Sequence, residues 1–210
     1  MTPKEAEQTL STIRTLMERG TQYTNISSTS AMAAGLVTLV GCAVRRAGLL
    51  PFSDRWNFFI TWGGVFVVSL AAMAYFTAAQ AKRNGEPVWT RQARQVTLSI
   101  LPALFAAVVV SQALFDRDLR SLLPGTWMLM YGCGALAMSF FTPLSIRILG
   151  LAFMAAGAVA LLVFPTYEVA AMGLGFGGIH LAWGLALAVQ RQRELAAPRQ
   201  GAQGLIVQDR

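Results

Sequence analysis

Charge is scarce in this sequence. Only 13% of the 210 residues are Asp, Glu, Lys or Arg, whereas 55% are hydrophobic; a soluble domain carries about 25% charged residues. No charged residue falls in the central part of any long apolar run. Proton relays, ion-coupled carriers and voltage sensors keep such residues there in spite of their cost. The absence argues against an ion-coupled pump and removes an intramembrane aspartyl protease. Histidine occurs once, as His180, so no His-Glu-x-x-His zinc motif can form and no metal centre is expected. The two cysteines, Cys42 and Cys133, lie within apolar runs, where they act as small hydrophobes and give no disulfide framework. Lysine is nearly missing too: Lys4 and Lys82 are the only two, and the abundance of arginine and alanine fits a GC-rich bacterial genome.

The apolar runs are long enough to cross a hydrocarbon layer of about 30 Å. Six spans are expected, at 28–46, 57–79, 95–115, 124–142, 144–164 and 167–190, giving an all-α polytopic transmembrane bundle in residues 26–190. Trp56, Trp89, Trp127 and Tyr167 fall at the span ends, the level at which amphipathic rings meet headgroups. Asn84-Gly85 with Pro87 marks a loop, Pro124-Gly125 opens the fourth span, and Pro143 and Pro165 separate the last three. The short breaks predict that spans four, five and six are antiparallel neighbours. Pro102 predicts a kink in the third span, with Ser99 placed to satisfy a freed carbonyl. No convincing three-plus-three internal repeat is present.

Residues 1–25 lack the features of a secretory signal and read as an amphipathic interfacial helix and linker. Thr2 is the expected cap, Pro3 the first helical residue and Glu5 the capping-box carboxylate. Leu10, Ile13, Leu16 and Met17 share its apolar face. Residues 191–210 read as a polar cytoplasmic tail. The 17 basic residues outnumber the 10 acidic ones but sit in short loops and tails, which points away from nucleic acid and toward the positive-inside rule. Twelve lie on the side of the termini and five on the other, namely Arg45, Arg46, Arg55, Arg117 and Arg120. The expected topology is therefore N-in and C-in, in a bacterial inner membrane.

His180 is the one intramembrane residue able to carry chemistry. At 100° per residue, Gly173, Gly177 and Gly184 share its stripe, a surface that admits a close helix neighbour. Trp127, Tyr131, Gly134 and Met138 form a comparable stripe on the fourth span, from which Tyr131 or Trp127 could bond the imidazole. Three roles are open to His180: a neutral helix-packing residue, an axial ligand to a tetrapyrrole such as haem or a chlorophyll-like ring, or a catalytic base. Met73, Met138 and Met154 lie on different spans and read as packing residues.

The segment Gly178-Ile179-His180-Leu181-Ala182-Trp183-Gly184 resembles the histidine-bearing last core helix of rhomboid intramembrane proteases. The rhomboid Gly-x-Ser-Gly nucleophile segment would fall on the fourth span, which reads Gly132-Cys133-Gly134-Ala135, and Ser139 lacks the glycine context. Without a nucleophile beside the base, acyl transfer has no starting point, and no catalytic residue is assigned. More broadly, the helical lead, the polar approach to the first span and the Gly-x-His-x-x-x-Gly end resemble multi-spanning inner-membrane proteins of bacteria, which implies a membrane bundle and no particular activity. The expected function is non-enzymatic: an accessory or scaffold subunit whose partners are the bilayer and another membrane protein or a second copy. A carrier of a neutral or apolar solute, with a cavity lined by Gln112, Ser139 and His180, is the alternative, beside the tetrapyrrole reading.

Overall fold

The computed structural model describes residues 2, 6–10, 27–164 and 166–196. Of the expected lead helix, residues 6–10 are helical, Leu10 is exposed, and the Ala6 amide donates to the Thr2 carbonyl as a first helical turn requires. Pro3, Glu5, Ile13, Leu16, Met17 and Pro165 lie outside the described residues, as does the tail beyond residue 196.

No strand occurs among the described residues. The rods are α1 (Ser28–Ala47), α2 (Asp54–Arg83), α3 (Arg91–Phe115), α4 (Leu123–Met138) and α5 (Leu144–Leu162). A last rod follows, made of α6 (Glu168–Met172), a π-helical segment (Gly173–Ile179) and α7 (His180–Ala196). Five of these are long and apolar enough to cross a membrane. The expected fourth span is shorter as an α-helix, at 16 residues. It is continued by 3-10 turns at Arg120–Leu122 and Ser139–Phe141, which rise about 2.0 Å per residue against 1.5 Å.

The boundaries follow from local chemistry. Gly48 ends α1 with φ 61°, its amide returning to the Val44 carbonyl, a left-handed cap that a glycine takes without strain. Thr90 caps α3 by accepting the Ala93 amide at 3.1 Å. Pro124 occupies the first turn of α4, and Pro143 stands just before α5, where a missing amide costs nothing. Within α3, Ser99 donates to the Gln95 carbonyl at 2.8 Å. Its hydroxyl thus takes the carbonyl one turn back, and the Leu98 carbonyl opposite Pro102 is left to other means.

Two helix pairs share one packing device. Between antiparallel α4 and α5, a Cβ added at Gly125, Gly132, Gly150 or Gly157 would lie 3.0, 2.7, 3.0 or 2.8 Å from the carbonyl oxygen of Gly157, Gly150, Gly132 or Gly125. In each case the same space is also filled by the side chain four residues beyond that carbonyl: Leu161, Met154, Leu136 or Leu129. The pair α1 and last rod repeats the pattern. Gly35 meets the Gly177 carbonyl and Leu181, and Gly184 meets the Ser28 carbonyl and Met32. In lipid there is no hydrophobic drive between helices, so backbone approach over small residues is what gives them contact.

The expected neighbour order holds for α4 and α5. The last rod, however, packs chiefly on α1, touching α5 mainly along the π-helical segment, because its glycines Gly177 and Gly184 match the small residues of α1. Trp127 packs against Phe58 and donates to the Ser111 hydroxyl at 2.7 Å. Trp56, Trp89 and Tyr167 are exposed as expected. Met73 is exposed as well, so it is not a packing residue, whereas Met154 fills the space at Gly132.

Candidate functional site

His180 stands at the junction of the π-helical segment and α7. In a regular α-helix its amide would reach the Phe176 carbonyl; here it turns to the Gly177 carbonyl instead. The imidazole Nδ1 lies 2.8 Å from the Phe176 carbonyl. A carbonyl can only accept, so in the neutral ring Nδ1 carries the proton and Nε2 keeps the lone pair. The Tyr131 hydroxyl, 3.1 Å from Nε2, is then the donor to it. Both nitrogens of a ring that is 8% exposed are satisfied, as burial in a low-dielectric medium demands.

The ring is also enclosed. Tyr131 of α4, Phe153 of α5, Phe176 and His180 touch one another in every combination, with ring centroids 4.7 to 6.1 Å apart. Most of these pairs are tilted or edge-on, the arrangement that ring quadrupoles favour. This four-ring cluster ties α4, α5 and the last rod together at mid-bundle.

The glycines expected to share a stripe with His180 do not share its neighbours. Gly177 and Gly184 face α1, and Gly173 lies beside Cys42 of α1, while His180 faces Tyr131 and Phe153. The π-helical winding accounts for Gly173 and Gly177, since its wider turn rotates them away from the phase of a 100° helix; Gly184, one α-helical turn past His180, faces α1. On α4, Gly134 packs on Ile100 and Ala103 of α3. The α4 stripe is thereby divided: Trp127 and Gly134 serve α3, and Tyr131 serves His180. Gly177 and Gly184 pair with α1 of the same chain.

Gln112, Ser139 and His180 do not converge on one cavity. Ser139 donates to the Leu136 carbonyl at 2.7 Å at one end of α4, and Gln112 donates to Asp116 at 2.8 Å at the end of α3 beside the other end of α4. No group of three or more His, Cys, Asp or Glu side chains suited to a metal ion occurs among the described residues.

A second constellation escaped the sequence reading. Arg45 at the end of α1 donates to Glu168 through Nε at 3.1 Å and Nη2 at 3.4 Å, and its Nη2 lies 2.6 Å from Asp54. Trp62 of α2 donates its indole N–H to Glu168 at 2.7 Å, and Arg120 reaches Asp54 at 3.0 Å. The Arg45 and Glu168 side chains are only 14% and 18% exposed. Four segments are thus clamped at one end of the bundle by charge-assisted bonds, the strong kind. A signal was present: the loops after the first, third and fifth spans share one side of the expected topology, and they bring these four charged residues to one face.

Compared with known proteins, the chain matches no family model, no curated protein and no solved structure.

Proposed function

We propose that this chain is a non-enzymatic, multi-pass protein of the bacterial inner membrane, N-in and C-in with α4 as a sixth crossing, that acts by lateral association as an accessory or scaffold subunit. The observation that carries this reading is α3. Of its 25 residues only Ala93 and Phe115 are buried, and Leu98, Leu101, Phe105, Val108 and Val109 present a continuous apolar surface. A span with so little of its own chain around it leaves a whole face open to a neighbour, which lipid solvates when none is there. His180 supports the same reading, because its Nε2 lone pair is taken by Tyr131 and its ring by three aromatic neighbours. A tetrapyrrole would have to displace that hydroxyl, and Ser139 already bonds to backbone within its own helix.

The test is a photo-reactive residue at Phe105, with a second at Leu185 on the exposed side of α7. Illumination in intact membranes is expected to give a discrete higher-mass adduct from position 105, and gentle solubilisation is expected to retain the same membrane protein. A chain that purifies alone and monomeric, with no adduct from position 105, overturns the reading. A visible spectrum of the native preparation checks the tetrapyrrole alternative: an absorption band lost in His180→Ala would replace this proposal.

A further inference from the structure

The chain's second docking surface lies where α2 begins and α3 ends. A cavity of ≈ 360 Å³ opens there, lined by Arg55, Trp56, Phe59, Gln112 and Phe115. Its floor is aromatic, Phe59 and Phe115 having ring centroids 4.0 Å apart. Arg55 holds its guanidinium 4.3 Å from the Phe115 ring centre, a cation–π contact that orients the group and leaves its N–H edge available. Arg45 and Arg120 on the same face are matched by Glu168 and Asp54, but no carboxylate lies within ion-pair distance of Arg55 among the described residues. Trp56, 60% exposed, sets this turn at the headgroup level.

Below the cavity α2 and α3 diverge in their attachments. α2 packs on α1 and α3 on α4, and the two share no extended interface. A Cβ at Gly63 or Gly64 would meet no atom within 4 Å. Phe66, Val67 and Leu70 on α2 are exposed. A headgroup-sized cavity with one unmatched cation therefore sits at the start of an exposed apolar face of α2.

We infer that this cavity binds a monoanionic phospholipid whose phosphodiester pairs with Arg55 and whose acyl chains lie along the exposed apolar face of α2. Gln112 refines the class. One N–H of its amide goes to Asp116, and its amide oxygen can accept a headgroup hydroxyl, as on a glycerol. The Asp116 carboxylate beside it disfavours a second negative charge, which sets a phosphodiester above a phosphomonoester. The inference does not depend on the scaffold reading, since a lipid can lie along α2 whether or not a protein neighbour covers α3.

Native mass spectrometry of the full chain in a non-denaturing detergent tests it, with phosphatidylglycerol, phosphatidylcholine and inorganic phosphate as probes. Phosphatidylglycerol is expected to be retained about fivefold or more over phosphatidylcholine, the advantage one basic residue gives with an anionic lipid. Arg55→Gln should erase that preference, Arg55→Lys should keep most of it, and Arg117→Gln, the same charge change on an exposed neighbour, should leave it intact. Millimolar inorganic phosphate should not displace the lipid. Equal retention of the two lipids, or equal effects of Arg55→Gln and Arg117→Gln, overturns the site; displacement by phosphate reduces it to an anion site and overturns the lipid assignment. Unchanged helical signal and thermal midpoint in Arg55→Gln separate loss of binding from loss of fold.

Discussion

The α4–α5 pair and the α2–α3 pair are both antiparallel and both joined by short connections, yet they are held by different means. Between α4 and α5, glycines alternate with Leu and Met so that each backbone meets the other's carbonyls. The aromatic cluster around His180 then fixes their rotation against the last rod. Between α2 and α3 there is contact where Phe59 meets Phe115, and the lengths between carry large exposed side chains. Both pairs are apolar. The difference lies in residue size, because a lipid tail solvates Phe or Val as well as a neighbouring helix does, and only a small residue lets a backbone come near enough for contact to win.

The comparison predicts opposite responses to adding volume. Gly132→Leu should have the largest effect, since even a Cβ there would lie 2.7 Å from the Gly150 carbonyl and 2.9 Å from the Met154 amide nitrogen, backbone that cannot step aside. Overpacking of this kind costs about 2–3 kcal/mol, to be read as a lower midpoint in a denaturing-detergent titration. A variant as stable as the parent would mean that the α4–α5 approach is looser than described. Next comes Glu168→Ala, which takes one of its two carboxylates from the largely buried Arg45 and leaves the Trp62 N–H without an acceptor; it should cost about 2 kcal/mol. Glu168→Gln should recover part of this, because an amide oxygen can still accept from Trp62. If Glu168→Ala and Glu168→Gln behave alike, the tryptophan bond contributes nothing and the charge alone matters.

How far the sequence reveals this arrangement depends on the range of the physics. The rods are legible because hydropathy sums over some twenty neighbouring residues, and Pro143, Gly48 and Thr90 act within a turn of themselves. The Tyr131–His180 bond is legible because both side chains sit mid-span on faces that helical phase can place. The π-helical winding of Gly173–Ile179 is not legible, since a change of hydrogen-bond register leaves composition untouched. It separates His180 from Gly173 and Gly177, which phase alone would put beside it. The partnership of α1 with the last rod skips over four helices, and only the matching seven-residue spacings Ser28 to Gly35 and Gly177 to Gly184 hint at it. Seven residues also separate Gly125 from Gly132 and Gly150 from Gly157, so that spacing is the usable mark of the device.

Tyr131→Phe sharpens the comparison at mid-bundle. It removes the donor to His180 Nε2 while keeping the ring that packs on Phe153 and Phe176, so the loss should be about 1 kcal/mol, the net value of one hydrogen bond. His180→Phe in the same background should then cost about 1 kcal/mol more, the bond from Nδ1 to the Phe176 carbonyl. A double variant much weaker than the sum of the singles would place another function on the imidazole.

Gly63→Ala should have the smallest effect. The added methyl meets nothing within 4 Å, so no packing is lost. In water the change from glycine to alanine would favour the helix by about 1 kcal/mol. In lipid the alternative state keeps its backbone bonds as well, which cancels most of that advantage and leaves a shift within about 0.5 kcal/mol. Measured beside Gly132→Ala in the same titration, it isolates the neighbour from the residue, since both substitutions add one methyl to a glycine within an apolar helix. A loss at position 63 comparable to that at position 132 would show that something covers α2 there, and the contrast between the two helix pairs would fail.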